Sequence, residues 1–334
     1  MNHLKTLGTA AALVLAMAGQ SHASNILISN DDGFETANIR ALYEKLVAAG
    51  HSVIISAPTQ NQSGQGGRVE FLRPMGPLAI ASKYGSVPAG SPAVGVDPTD
   101  PNIHYVDGSP VMALLYGLDV LAQQTWGKAP DLIISGPNEG NNTGAVNPSS
   151  GTFANALYGI NRGIPSIAVS DAVSSQRSFR TLVPGDRAYM VADKVITLID
   201  KINSKSRAGK GYMMPPGVGL NVNIPAASCS APGYALTEVS TATTALPVFF
   251  ADISTSPLAA AFGLGNVHLP AVGVVLPGTP VPPGVTVPTD TNPKAEATVL
   301  ASCKITISII NGVSDIANSN VKKLTAALME LPNE

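Results

Sequence analysis

Two aspartates, Asp31 and Asp32, follow the apolar run of residues 25–29 after Asn30 and precede Gly33. Adjacent carboxylates at the end of a buried strand repel one another. One of them is then favoured to hold a proton, unless a cation or hydrogen-bond donors neutralise the pair. Hard oxygen ligands of this kind suit Mg²⁺ or Mn²⁺, with amide, hydroxyl and water oxygens completing the shell. The same Asp-Asp-Gly also builds ordinary turns and helix caps. Its chemistry therefore rests on what stands beside it. Two further polar segments follow apolar runs: residues 57–64, with Asn61, Ser63 and Gly64, and residues 135–144, with Asn138, Asn141 and Asn142 among glycines. A fourth, Ser149-Ser150-Gly151-Thr152, precedes a helix-forming stretch. It offers hydroxyls and backbone N–H groups to a phosphate, or simply to its own helix.

These segments need a scaffold that brings them to one edge. Residues 25–29 read as a buried parallel strand. Ile39, Leu42, Leu46 and Val47 then recur at helical spacing up to Gly50, and residues 53–57 form a second strand. Strand, helix and strand in so short a span make a βαβ unit, with a parallel sheet covered on both faces. Residues 132–135 and 166–170 are further strands, with helices over 153–159 and 189–202 and a strand over 220–224. Ser109-Pro110 opens a helix whose apolar positions are Met112, Leu115, Leu118 and Leu121. Residues 63–105 read as loops with one β-ribbon over 77–82. Residues 303–310 read as a returning strand and 321–331 as a closing helix. In an open parallel sheet, ligands bind beyond the carboxyl ends of the strands, where three of the polar segments stand.

Composition narrows the chemistry. The chain has 334 residues, 45% hydrophobic and 13% charged, with a net charge of -2. No basic field exists to hold a nucleic-acid polymer. With one Trp and 5% aromatics, stacking platforms for single strands are also excluded. Two cysteines cannot build a zinc knuckle. No Gly-x-Ser-x-Gly elbow marks a serine hydrolase. His51 stands at a helix end and His104 and His268 in loops, without motif support. The partner is a small molecule.

The four segments in this order resemble the SurE (survival protein E) family of metal-dependent nucleotidases and acid phosphatases. Ser29 to Gly33 resemble its Ser-Asn-Asp-Asp-Gly, and Ala57, Pro58, Asn61, Ser63 and Gly64 its second loop. Ser135, Gly136, Asn138, Gly140, Asn142 and Gly144 match its third, and Ser150-Gly151-Thr152 its Ser-Gly-Thr. Asn221 to Pro225 resemble its later Asn-x-Asn-x-Pro strand. The resemblance covers residues 25–225. It implies an α/β fold, a three-layer α/β/α sandwich of the Rossmann-like kind, with a β-rich C-terminal extension used in oligomerisation. It makes Asp31, Asp32, Ser63 and Asn138 the metal-site residues, with Asp31 and Asp32 catalytic. Asn142, Ser150, Gly151 and Thr152 become the substrate and phosphate residues. Pro137 and Val111-Met112 depart from the family pattern, and residues 226–295 match it poorly.

The function so implied is hydrolysis of a phosphate monoester, most simply a nucleoside monophosphate, by a water activated at a divalent metal. An exported binding protein for a sugar or nucleotide is the alternative from another class. It needs no paired aspartates. The organisation expected is a leader over 1–23, a catalytic core over 24–225, an extension over 226–295 and a return to the core over 296–334. The extension is poor in charge, which suggests a homodimer or larger assembly. Cys229, at its start, and Cys303, just beyond its end, can pair in an oxidising compartment and staple it.

Lys5, the apolar run 7–18 and Ser21-His22-Ala23 form the pattern that signal peptidase reads, and the run is too short to span a bilayer. The mature protein is therefore expected in the periplasm or outside the cell, starting at Ser24 and free of the membrane. N-terminal sequencing of exported protein should read Ser24 first; retention of residues 4–18 would contradict cleavage.

Overall fold

A computed structural model describes residues 23–173, 175–204, 214–215, 217–288 and 290–312. The expected leader up to residue 22 and the closing helix over 321–331 lie outside the described residues.

Strand β1 (Asn25–Ser29) is followed by α1 (Ala37–Ala48) and β2 (Ser52–Pro58), as the βαβ pattern requires. A hairpin, β3 (Val94–Asp97) and β4 (Asp100–Val106), leads into α2 (Pro110–Tyr116), a π turn over Gly117–Leu121 and α3 (Ala122–Trp126). Then come β5 (Leu132–Glu139), α4 (Gly151–Asn161), β6 (Ser166–Asp171), α5 (Arg187–Asn203) and β7 (Val218–Ile224). The last elements are β8 (Tyr234–Thr237), β9 (Leu246–Phe250), β10 (Ala271–Val275), α6 (Glu296–Ala301) and β11 (Ile305–Asn311).

Nine strands form one sheet in the order β3-β4-β2-β1-β5-β6-β7-β11-β8. From β4 to β7 the neighbours run parallel, whereas β3 and β11 join antiparallel. Because side chains alternate along a strand, β1 feeds two cores. Ile26 and Ile28 pack with α1 and α5, while Leu27 meets Leu114, Leu118 and Leu121 on the opposite face. These are the three layers expected. Among the described residues no helix is long and apolar enough to cross a membrane.

Several local expectations change. Val47 is 45% exposed, and the core stripe of α1 runs instead through Ile39, Leu42, Tyr43 and Leu46. In the helical run after Ser109, the buried stripe is Val111, Leu114, Leu118 and Leu121. Met112 and Leu115 stand one residue off that stripe and are half-buried. Ser109 caps as expected, its Oγ accepting the Met112 N–H at 3.2 Å. No strand forms over 77–82. Leu78 exchanges backbone hydrogen bonds with Gly90 and Ser91, but prolines at 74, 77, 88 and 92 remove the donors a ladder needs. The ribbon of this region is β3–β4, and it carries His104, which is on a strand rather than in a loop.

The region 226–295 divides. Strand β8 pairs parallel with β11 and extends the main sheet, so that sheet crosses the boundary expected at residue 225. Strands β9 and β10 form a separate hairpin over a small core of Val248, Phe250, Ile253 and Val275.

Cys229 and Cys303 are disulfide-bonded across a sequence separation of 74. Constraining a loop of that length in the unfolded chain stabilises the fold by about 4 kcal/mol in the chain-entropy account. The unreduced, unfolded protein should show no titratable thiol, and reductant should lower the melting temperature. Two thiols, or an unchanged melt, would remove the bridge from the stability argument.

Candidate active site

The two aspartates leave the carboxyl end of β1, and β5 next to it carries Asn138 at its own end. The parallel order reverses direction between these two strands, so their loops diverge and leave a crevice.

Asp31 is buried against the first turn of α4. Thr152 Oγ1 donates to Asp31 Oδ1 at 2.8 Å, and the Gly151 N–H donates to the same carboxylate. Burial raises the Asp31 pKa, against the lowering effect of these donors. Asp32 is fully buried. Its Oδ2 accepts the Glu139 N–H at 2.7 Å, and its Oδ1 accepts from Gln176 Nε2. Gln176 Oε1 in turn accepts from Lys83 Nζ. Burial, then repulsion from Asp31 and Glu139, push the Asp32 carboxyl well above the usual carboxylate range. Glu139 is itself pushed up to about 7 by burial, with Lys83 and Arg177 opposing. Lys83 is lowered by burial, despite Asp32.

Asn138 is buried, with Nδ2 donating to the Gly140 carbonyl at 2.6 Å. Its Oδ1 has no hydrogen-bond partner and no contact with water. An acceptor left so in a protein interior is costly unless something electropositive meets it. Ser63 is exposed, its hydroxyl donating to Asn61 Oδ1 at 2.7 Å. Its loop is tied to the site where the Gln62 N–H donates to the Asp31 carbonyl at 2.7 Å.

The remaining expected site residues are used inside the protein. Ser150 Oγ caps α4 by accepting the Phe153 N–H at 3.0 Å. Asn142 Nδ2 donates to Ser170 Oγ at 2.9 Å, and the Asn142 carbonyl accepts from both Asn221 and Asn223. Gly151 and Thr152 serve Asp31, as above. The structure thus brings together Asp31, Asp32, Asn138, Gly151 and Thr152. Ser63 stands on an adjoining loop, and Asn142 braces the strand ends.

Sequence reasoning missed Glu139, Lys83 and Gln176. Glu139 could have been found, since it is the sole charge within the Gly-rich segment 135–144. Lys83 and Gln176 stand in loops with no pattern to single them out.

The site fits a divalent cation. Three carboxylates face one another with one half-buried lysine among them, and Asn138 Oδ1 supplies an unspent neutral oxygen. Among the described residues no three His, Cys, Asp or Glu side chains are grouped so as to hold a metal ion by themselves. An open site of two carboxylates, an amide and water is the arrangement that hard cations such as Mg²⁺ accept.

Comparison with known proteins follows the same residues. A family model described as Survival protein SurE matches residues 26–245. An acid phosphatase of Yarrowia lipolytica is 36% identical over 209 residues, which are 62% of this chain and 58% of that protein. A 5'-nucleotidase SurE of Lawsonia intracellularis is 33% identical over 204 residues, 61% of this chain and 67% of the relative. The chain thus spans roughly three fifths to two thirds of their lengths. The crystal structure of the SurE protein from Aquifex aeolicus superposes with a TM-score of 0.60 at 22% identity, covering 92% of this chain and all of that one.

Gly151 sets how closely α4 approaches Asp31. A Cβ there would lie 2.8 Å from Asp31 Cβ and 2.6 Å from Pro110 Cγ. Gly151→Ala should therefore destabilise the fold by about 1–3 kcal/mol through overpacking. Denaturant unfolding measures this; a variant as stable as wild type would mean that the helix start is not seated on the aspartate.

Proposed function

The chain belongs to the survival protein SurE family, and from that premise we propose that it hydrolyses phosphate monoesters, with nucleoside monophosphates as the substrate class. The observation that carries the reading is the pair of buried, adjacent carboxylates after β1, with the unpartnered Asn138 oxygen at the end of the neighbouring β5. A non-catalytic binding protein gives no account of a charge arrangement so costly to bury.

Asp31, Asp32 and Asn138 would hold a divalent cation, Mg²⁺ or Mn²⁺, with Ser63 joining from its loop. When bound, such a cation supplies Lewis acidity at the phosphoryl oxygens and eases deprotonation of the attacking water. The chain's own groups set the geometry. Thr152 Oγ1 and the Gly151 N–H fix one oxygen edge of Asp31 and leave the rest of the carboxylate for the site. The Glu139 N–H and Gln176 orient Asp32 in the same way. Lys83, half-buried beside Asp32, places a positive group where phosphoryl oxygens would gather. Glu139, whose N–H donates to Asp32 Oδ2, would add a third carboxyl beside the cation.

The disulfide supports the export reading, because such bonds persist in oxidising compartments. Self-association is part of the same reading. It is supported by Phe249 and Val272, paired on β9 and β10, which are 66% and 64% exposed.

Asp32→Asn tests the assignment. The amide keeps the shape but removes a charge from the cation site, so phosphatase turnover with Mg²⁺ or Mn²⁺ should fall by orders of magnitude. The metal-free variant should still fold, with relieved like-charge repulsion set against the loss of one of the two acceptors that serve the Glu139 N–H and Gln176 Nε2; a melting scan checks this. Full activity of wild type or variant in chelator would overturn the metal site.

A further inference from the structure

Three segments meet around Asp32: residues 32–35, the turn 82–87 and residues 176–180. They are tied to one another at two levels. Nearest the aspartates, Gln176 Nε2 donates to Asp32 Oδ1 and Lys83 Nζ donates to Gln176 Oε1. The same Nζ lies 3.5 Å from the Asp32 carbonyl oxygen. A few residues further along, the segments are joined again. Glu35 Oε2 accepts the Tyr84 N–H and Oε1 the Ser86 N–H, both at 2.7 Å. From the other side Arg180 donates to the Tyr84 carbonyl and to Ser86 Oγ, also at 2.7 Å. The Phe179 N–H donates to the Glu35 carbonyl at 2.9 Å and closes the frame.

The backbone of the turn is fully bonded. The Lys83 N–H donates to the Thr59 carbonyl at 3.0 Å, that of Gly85 to the Ser82 carbonyl at 2.9 Å and that of Val87 to Ser82 Oγ at 2.9 Å. With the two on Glu35, every N–H from Lys83 to Val87 is spent. Glu35 is 1% exposed, whereas Gly85 at the tip is exposed. A surface turn can satisfy its N–H groups with water, and burying a carboxylate to do so costs desolvation. What the carboxylate adds is a fixed place for the turn relative to Asp32, three residues before it in the chain.

The turn carries Lys83, which acts on both Asp32 and Glu139. Arg177, the other cation acting on Glu139, is paired with Asp186. A phosphate ester brings further negative charge toward Asp31, Asp32 and Glu139, so its binding depends on where the Lys83 charge stands. That charge sits on a flexible four-carbon stem, and its attraction for a phosphoryl oxygen falls with distance.

We propose that Glu35 and Arg180 are positioning residues, which clamp the turn so that Lys83 meets the phosphoryl group. The inference rests on the phosphate-monoester reading, in which Lys83 has its part, and adds to it what holds that lysine in place.

A double-mutant cycle on the full protein tests it. Wild type, Glu35→Gln, Lys83→Met and the double variant are titrated calorimetrically with inorganic phosphate, Mg²⁺ supplied, and assayed for kcat/KM on p-nitrophenyl phosphate. Glutamine offers one acceptor oxygen where the carboxylate has two, so one N–H of the turn loses its partner. Lys83→Met should weaken phosphate binding and lower kcat/KM about ten- to hundredfold, the size of a charge-assisted hydrogen bond. Glu35→Gln should lower both about five- to tenfold with Lys83 present, and less than about twofold in the Lys83→Met background. Arg180→Gln, on the exposed side of the turn, should show the same dependence on Lys83. It takes the place of Glu35→Gln if a melting scan shows that variant unfolded.

Equal losses from the clamp variants in both backgrounds would reduce Glu35 and Arg180 to a role in folding and overturn the proposal. Wild-type phosphate binding in Lys83→Met, or in the clamp variants, would overturn it as well. In either case sustained turnover of p-nitrophenyl phosphate leaves the hydrolase reading standing. A protein that hydrolyses no ester, yet binds phosphate through Lys83 and the clamp, would lose the hydrolase and keep the clamp.

Discussion

Burying two neighbouring carboxylates at the end of one strand is the constraint from which the rest of the site follows. The protein meets it unequally. Asp31 receives the start of α4, where backbone N–H groups and the helix dipole favour negative charge. One helix start can serve only one carboxylate. Asp32 is left with an amide N–H, a glutamine and a lysine reached through that glutamine. Glu139 then adds a third acid to the same neighbourhood. The deficit of positive charge thus lies around Asp32, on the side facing Glu139, while Asp31 is satisfied from behind. A divalent cation completes such an arrangement, because it supplies concentrated charge without needing a long side chain ordered beside the acids.

Sheet topology decides that these groups meet at all. Chain order runs outward from β1 through β2 to β4, then returns to β5 on the other side of β1. The connections after β1 and β5 therefore depart toward opposite flanks, and the gap between them is lined by Asp31, Asp32 and Asn138. Gly136 allows β5 to take this path. Its φ is +112°, and a Cβ there would meet the Val169 carbonyl oxygen at 2.2 Å. The register slip between Ser135 and Asn138 lies at the same point. Beyond it Asn138 and Glu139 pair with Ser170 and Asp171 in a shifted register, which re-aims the side chains at the end of the strand.

Much of this was legible beforehand, for identifiable reasons. The runs 25–29, 132–135 and 166–170 are continuous and apolar because both faces of a parallel strand are covered, so their strands were plain. Polar segments after such runs mark a sheet edge, which located Asp31, Asp32 and Asn138. Spacing could not say how donors are shared. Ser150, Gly151 and Thr152 read equally as a phosphate cradle or as a helix start, and the structure spends the Ser150 and Thr152 hydroxyls within the protein. Asn142 read as a ligand residue by its place in the resembling motif, but its side chain donates to Ser170 and its backbone is held by Asn221 and Asn223, on strands that follow it in the chain. Lys83 and Gln176 enter the site from loops with no period at all. Pairings across loops are set by tertiary packing, and no local pattern carries them.

Glu296 shows how far that packing reaches. It stands at the start of α6, beyond the region matched by the family model, and is completely buried. Its carboxylate accepts from the Gly144 N–H, Asn147 Nδ2, Asn221 Nδ2 and Ser308 Oγ. Burial still raises its pKa, with these donors opposing. Four donors on one acid tie the segment between β5 and α4 to β7 and β11 simultaneously. That segment begins a few residues after Asn138 and ends at Ser150, so one late carboxylate anchors the connection between an expected metal residue and the helix that seats Asp31. Gly144 also lies directly against the backbone of Ala242, where a Cβ would come within 1.9 Å of the carbonyl oxygen. Elements that follow residue 225 are thus part of the frame of the site. A core cut at that boundary would keep the aspartates but lose what holds the loop between Asn138 and Thr152 in place.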